Sequence, residues 1–233
     1  MLADPAGRAS NAVTRYKDLA EKHNIILCSS YAVKNGPVEP NLHLLDQLLE
    51  ALRVDQRMVS NPIYLAGFSG GSRLVSAFSI KEQRVKGVIA CGSGFLPGFA
   101  DKVPEIPSYT GVIGVFDMNF TEMANDRLKY LDYKWEDKLI TGAFAHIWPP
   151  ADVFELARIN IQFEHNYEAA ENYLKAWSAL APESPFPYYL LAQNYMRLGK
   201  SGKAKKEIKK ALKKDDDDLL PDTAEDELLR DLY

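Results

Sequence analysis

Asn61-Pro62-Ile63-Tyr64-Leu65-Ala66-Gly67-Phe68-Ser69-Gly70-Gly71-Ser72-Arg73 is the stretch whose reading decides the fold. The apolar run Ile63 to Ala66 predicts a buried strand, and the helix-permissive segment Ser72 to Ile80 predicts a helix directly after it. Between them stands Gly67-x-Ser69-x-Gly71, in the strand–turn–helix setting that a nucleophile elbow requires. A tight turn there pushes the serine hydroxyl off the strand end, and the flanking glycines avoid clashes at strained backbone angles. The helix N-terminus behind Ser69 offers backbone N–H groups to a developing oxyanion. Such a motif is weak by itself, so its surroundings carry the reading.

Outward from the elbow, short apolar runs at Asn24–Ser29, Val85–Cys91, Gly111–Phe116 and Lys138–Phe144 predict further strands. Helical stripes lie over Ala12–His23 and over Leu42–Leu52, where Leu42, Leu44, Leu45, Leu48, Leu49 and Leu52 form a strongly amphipathic pattern. Strands alternating with helices predict a mostly parallel sheet covered on both faces. From about Ala151 onward the pattern is helical throughout. Phe154 and Tyr188, Ile161 and Tyr195, Ala170 and Ala204, Leu174 and Ile208, and Trp177 and Ala211 are each 34 residues apart. That is the period of a helix–turn–helix repeat. The second copy is the more regular; Arg158 in the first copy stands where the small Ala192 sits in the second. Lys213-Lys214-Asp215-Asp216-Asp217-Asp218 reads as a solvated linker, and Thr223 to Leu232 as a capping helix.

Composition narrows the function classes. The 233 residues are 46% hydrophobic, enough for a buried core, and the net charge of −4 gives no reason to expect nucleic acid or an anionic membrane as partner. No apolar run is long enough to span a bilayer, and Met1-Leu2-Ala3-Asp4-Pro5 lacks the features of a signal peptide. The two cysteines, Cys28 and Cys91, close strand-like runs and read as small buried hydrophobes. No metal-ligand spacing and no phosphate-cradling loop is present, so neither metal nor cofactor is expected.

A serine nucleophile needs a base within reach and an acid to orient that base. Among the four histidines, His23 and His43 precede the elbow and His165 falls in the first repeat. His146 directly follows a predicted strand, where groups gather for chemistry in open α/β sheets. For the acid, Asp117 follows the Gly111–Phe116 strand at once, whereas Asp101, Glu122, Asp126 and Asp137 lie away from strand ends.

Four segments together resemble the α/β-hydrolase family, in a bacterial esterase-like group. They are Asp4-Pro5-Ala6-Gly7-Arg8, Gly67 to Arg73, Gly114 to Met123, and His146-Ile147-Trp148-Pro149-Pro150. The resemblance covers Asp4 to about Pro150, and Ser69, Asp117, His146 is also the chain order of that family's triad. It implies Ser69 as nucleophile, His146 as general base and Asp117 as orienting acid. It also implies an oxyanion hole from the Gly70 N–H and an N–H in the Ala6-Gly7 loop. Residues 151–217 separately resemble tetratricopeptide repeats, which usually bind peptides or proteins in a groove.

The expected organisation is thus an α/β-hydrolase domain over 1–150, two tetratricopeptide-like repeats over 151–217, and an acidic linker with capping helix over 218–233. In this family the Asp-Pro loop follows a central strand, of which at most the tip is present at Met1-Leu2. Either Asn24–Ser29 closes up beside the elbow strand, or the chain is a fragment of a longer protein, the reading preferred here; localisation is then not legible. The expected function is hydrolysis of a carboxylic ester, small or polymeric, through an acyl-enzyme. For a lipase or polyester depolymerase, Phe95, Leu96, Phe99, Met118, Phe120 and Trp148 are candidates to line an apolar cleft. The rival expectation is an interaction protein that binds a protein or peptide through its repeats, with the hydrolase part an inert scaffold.

Overall fold

The computed structural model describes residues 1–54, 61–97, 108–129, 139–162 and 167–215, together with Leu220, Leu229 and Leu232. The chain divides into two compact units, Met1–Gln162 and Phe163–Tyr233. The first runs β1 (Leu2–Ala3), α1 (Ala9–Arg15), α2 (Lys17–Lys22), α3 (Val38–Arg53), β2 (Ile63–Phe68) and α4 (Gly70–Lys81). It continues through β3 (Val85–Cys91), β4 (Tyr109–Gly114), α5 (Phe120–Lys129), β5 (Leu139–Gly142) and α6 (Ala151–Gln162).

The strands lie in the order β1-β2-β3-β4-β5, and every neighbouring pair is parallel. Successive side chains of a strand point to opposite faces, and both faces are buried here. Leu65 of β2 and Val88 and Ala90 of β3 pack into one core with Leu42, Leu45 and Leu49 of α3 and Phe78 of α4. Their neighbours Ala66, Ile89 and Cys91 pack into a second core with Tyr16, Phe154, Ala157 and Trp148. This double burial is why the strands read as unbroken apolar runs rather than alternating ones. Cys91 lies fully inside, where burial pushes its thiol up, and both cysteines are free.

Three expectations are corrected. The Ala12–His23 stripe forms two helices, α1 and α2, separated at Tyr16, whose hydroxyl donates to the Pro149 carbonyl (2.8 Å). Asn24–Ser29 is not a strand beside β2. Leu2–Ala3 occupies that place, in register with Ala66 and Gly67, and only Ser29 forms an isolated bridge, to Leu2. A run of apolar residues becomes a strand only where a neighbour supplies ladder hydrogen bonds, and in this run Ser29 alone makes a bridge. Finally, α6 belongs to the first unit, so the boundary falls after Gln162 rather than at 150. Phe154, Ala157 and Ile161 of α6 insert among Ile89 and Val112 of the sheet.

The second unit contains α7 (Tyr167–Leu180), α8 (Phe186–Arg197) and α9 (Ser201–Lys214). Leu191, Ala192 and Tyr195 of α8 and Ala204, Ile208 and Ala211 of α9 are buried. The two helices expected to form the first repeat, α6 and α7, fall in different units. The Asp216–Asp218 part of the linker and most of the Thr223–Leu232 segment lie outside the described residues.

One charged cluster ties the second unit together. Glu171 accepts hydrogen bonds from Lys175 Nζ (2.5 Å), Lys200 Nζ (3.0 Å) and the Tyr195 hydroxyl (3.2 Å). The Lys175 ammonium, then that of Lys200, holds the Glu171 carboxyl down at about 2 against an ordinary 4.5. A folded-state pKa below the unfolded one stabilises the fold fully above the unfolded value and less as pH falls toward the folded one. Glu171→Gln should therefore lower the midpoint of thermal unfolding at neutral pH, with the deficit shrinking as pH falls from 4.5 toward about 2. Melting both proteins across that range checks it. A deficit that is independent of pH would mean that shape, not charge, makes the contact.

Candidate active site

One strained serine and two glycine-dependent contacts shape the elbow. Ser69 adopts φ 53° and ψ −123°, a left-handed conformation that non-glycine residues rarely accept. A Cβ on Gly67 would stand 2.3 Å from the Gly71 carbonyl oxygen, and one on Gly71 would stand 2.1 Å from the Ala3 carbonyl oxygen. Glycine at both positions lets the ends of β1 and β2 and the start of α4 touch through backbone alone. The Ser69 N–H donates to the Cys91 carbonyl (2.8 Å) and the Ser69 carbonyl accepts from the Ser72 N–H (3.0 Å), so the strand ends and the helix begins at this residue. The first amides of a helix have no helical acceptor, and α4 opens at Gly70.

The loop after β4 supplies Asp117. Its N–H donates back to the Gly114 carbonyl (3.0 Å), and its Oδ1 accepts from the Asn119 N–H (2.8 Å). The side chain is fully buried. The turn after β5 supplies His146, whose Nδ1 lies 2.9 Å from both carboxylate oxygens of Asp117. Its Nε2 lies 3.0 Å from Ser69 Oγ. The Phe68 ring lies beside the imidazole, with centroids 4.8 Å apart. A carboxylate acceptor at Nδ1 fixes the proton on that nitrogen and leaves Nε2 free to take one from the serine.

Around these three residues, side chains far apart in sequence hold the loops. Asp4, itself buried, accepts at Oδ2 from Trp148 Nε1 (2.9 Å) and at Oδ1 from the Ala6 and Arg8 amides (2.9 and 3.2 Å). One carboxylate thereby joins the loop after β1 to the turn that carries His146. Arg73 donates to both oxygens of Glu122 (2.6 and 2.7 Å) and to the Phe95 carbonyl (2.7 Å), tying α4 to α5 and to the loop after β3. Asn119 Nδ2 donates to the Gly92 carbonyl (2.8 Å), bracing the Asp117 loop.

The remaining candidates fall elsewhere. His23 is hydrogen-bonded with Glu155 (2.5 Å) and His43 with Gln47 (3.1 Å), both away from the elbow; His165 lies outside the described residues. Of the acids, Glu122 is engaged by Arg73, Asp126 sits on α5 by Gly94, and Asp101 and Asp137 lie outside the described residues. In the Ala6-Gly7 loop the Ala6 N–H donates to Asp4 Oδ1 and the Gly7 N–H to the Asp4 carbonyl (3.1 Å), so here both amides hold their own loop. Of the suggested cleft residues, Phe95 and Trp148 are buried in the core, Leu96 and Phe120 are half-buried, Met118 is exposed, and Phe99 lies outside the described residues. Sequence reading missed Asp4 and Trp148 as partners, although each stands in a motif segment. It also missed Asn35. A Cβ on Gly70 would lie 1.9 Å from Asn35 Oδ1, so this amide lies directly over the first residue of α4.

No protein-family model matches the chain, and no curated protein does. Solved structures do resemble it. The crystal structure of esterase PE8 aligns with a TM-score of 0.50 at 15% identity, over 67% of this chain and 88% of that one. A hydrolase of Thermoplasma acidophilum, described as predicted and CIB-like, aligns with a TM-score of 0.50 at 15% identity, over 71% and 84%. At this identity the likeness speaks for fold alone: the chain carries the mostly parallel sheet with flanking helices found in these hydrolases, consistent with an α/β-hydrolase fold.

Proposed function

We propose that the protein is a serine hydrolase acting on carboxylic esters. The observation that carries the reading is the unbroken relay from Ser69 Oγ through His146 to the buried Asp117, with contacts of 3.0 and 2.9 Å. Ser69 Oγ attacks the ester carbonyl while His146 Nε2 takes the hydroxyl proton. The carbonyl oxygen becomes an oxyanion, for which the Gly70 N–H at the start of α4 is the expected donor. Collapse breaks the bond to the alcohol, which leaves with the proton from His146. Water then repeats the sequence on the acyl-enzyme and releases the acid and free Ser69. Asp117, at Nδ1, stabilises the imidazolium in each half-reaction.

Phe116 and Met118, on either side of Asp117, are 74% and 80% exposed, and Ile147 next to His146 is 46% exposed. Large apolar side chains flanking the reacting residues favour esters with an apolar acyl or alcohol group. In the second unit, the 34-residue spacing and the buried Ala192, Ala204 and Ala211 support one tetratricopeptide-like hairpin made by α8 and α9, a suitable seat for a peptide.

Stoichiometric labelling by a fluorophosphonate tests the ester-hydrolase reading. The folded chain should be labelled on Ser69, and Ser69→Ala and His146→Ala should each abolish the label. A cooperatively folded wild type that takes up no label overturns the proposal.

A further inference from the structure

An oxyanion formed at Ser69 is best held by several donors aimed at one point. Gly70 opens α4, so its N–H has no helical acceptor and supplies one of them. The other backbone near the elbow is the loop after β1, since the Ala3 carbonyl packs on Gly71. Its amides are already engaged. The Ala6 and Arg8 N–H groups donate to Asp4 Oδ1 (2.9 and 3.2 Å), and the Gly7 N–H donates to the Asp4 carbonyl (3.1 Å). Pro5, between them, has no N–H to offer.

A side chain stands over Gly70 instead. A Cβ on Gly70 would lie 1.9 Å from Asn35 Oδ1, 2.8 Å from its Cγ and 3.2 Å from its Nδ2. That Cβ would share its Cα with the Gly70 N–H, so the carboxamide lies within about 4.5 Å of the Gly70 nitrogen. Two donors at that separation can meet one oxygen between them. Neither Oδ1 nor Nδ2 of Asn35 has a hydrogen-bond partner among the described residues. The terminal torsion of asparagine is broad, so Nδ2 is free to turn toward an acceptor. The backbone that carries it is held. The Asn35 N–H donates to the Pro5 carbonyl (2.8 Å) and the Lys34 N–H to Asn41 Oδ1 (3.0 Å). Asn41, itself buried, donates to the Pro37 carbonyl (2.8 Å), and Val33 packs into the core with Leu42 and Leu45. Asn35 is exposed, so an incoming substrate can reach it.

We infer that Asn35 is a catalytic residue: its Nδ2 donates to the oxyanion beside the Gly70 N–H, in the place that the family resemblance assigns to the Ala6-Gly7 loop. The inference rests on the ester-hydrolase reading and adds a donor to it. A neutral N–H binds a developing negative charge more strongly than it binds the ester carbonyl, so its effect falls on the transition state. The competing role for the same side chain is a helix cap, in which Oδ1 accepts from the first amides of α4. That role would put an acceptor where the oxyanion forms. The two roles use opposite ends of one carboxamide, and a carboxylate at this position, which only accepts, tells them apart.

The experiment compares the full chain with its Asn35→Ala and Asn35→Asp variants in hydrolysis of a p-nitrophenyl ester. It also measures inhibition by an alkyl trifluoromethyl ketone, whose adduct with Ser69 carries the oxyanion. In Asn35→Ala, kcat should fall by roughly 10²–10³-fold. KM should stay within about twofold, because the lost contact is made in the transition state. Affinity for the ketone should fall by a factor similar to that in kcat/KM. Asn35→Asp should be at least as impaired. Both variants should melt within about 2 °C of the wild type, since the position is exposed. Wild-type turnover in either variant, or lost turnover with ketone affinity unchanged, overturns the inference and leaves the hydrolase reading standing. A folded wild type that neither hydrolyses the ester nor takes up a fluorophosphonate overturns both.

Discussion

Replacing Ser69 by glycine should leave a protein more stable than the alanine variant and just as inactive. Ordinarily the order is reversed, because glycine loses more conformational freedom on folding than alanine does. At Ser69, however, φ is 53° and ψ −123°, a conformation that costs a residue with a Cβ on the order of 1–3 kcal/mol. Alanine keeps that strain and glycine relieves it. The glycine variant should therefore melt about 2–4 °C above the alanine variant for each kcal/mol by which relief exceeds the entropic loss. Ester turnover should fall by roughly 10⁴-fold or more in both, as expected when a nucleophile is removed and only binding and oxyanion stabilisation remain. Melting curves and hydrolysis of a p-nitrophenyl ester on the same three proteins decide it. Retained turnover in either variant removes Ser69 from the mechanism. An alanine variant as stable as the glycine one removes the strain.

That strain also explains what was readable in the amino-acid sequence. The elbow is determined by close neighbours: Gly67 and Gly71 are required by contacts four residues apart or with β1, so their spacing announces the turn. Asp117 and His146 could be singled out as candidates because parallel strands deliver their following residues to one end of the sheet, and each stands just after such a strand. What was not legible depends on partners that a periodic pattern does not name. The Asn24–Ser29 run has strand composition but only Ser29 finds a bridge. Helix α6 has apolar residues at repeat spacing, yet Phe154 and Ile161 serve the core on one face of the sheet. The Asp4–Trp148 hydrogen bond joins residues 144 apart, so neither motif discloses the other.

Asp4 links two loops of the site. A buried carboxylate that satisfies an indole N–H and two backbone amides has most of its acceptor capacity used. The same residue sits at the end of β1, whose Ala3 carbonyl packs on Gly71. Elbow, histidine turn and first strand thus meet at the end of β1.

The second large effect is expected at Asp117, from a substitution that changes almost no volume. Asp117 Oδ1 already accepts from the Asn119 N–H (2.8 Å), and His146 Nδ1 lies 2.9 Å from both oxygens. In Asp117→Asn the carbonyl oxygen keeps the Asn119 amide, since an NH₂ group there would oppose one donor to another. The NH₂ then takes the place of Oδ2 and points at His146. The ring must accept that hydrogen bond at Nδ1 and so carries its proton on Nε2, where it meets Ser69 as a donor. A histidine in that tautomer cannot take the serine's proton, and no carboxylate remains to stabilise an imidazolium. Turnover at neutral pH should fall by roughly 10⁴-fold. Fluorophosphonate labelling should slow in parallel, while the thermal midpoint moves little because shape and hydrogen-bond number are nearly kept. Labelling at the wild-type rate in a folded Asp117→Asn protein would show that Asp117 serves only to cap its loop. The base at His146 would then have to be oriented by its turn alone.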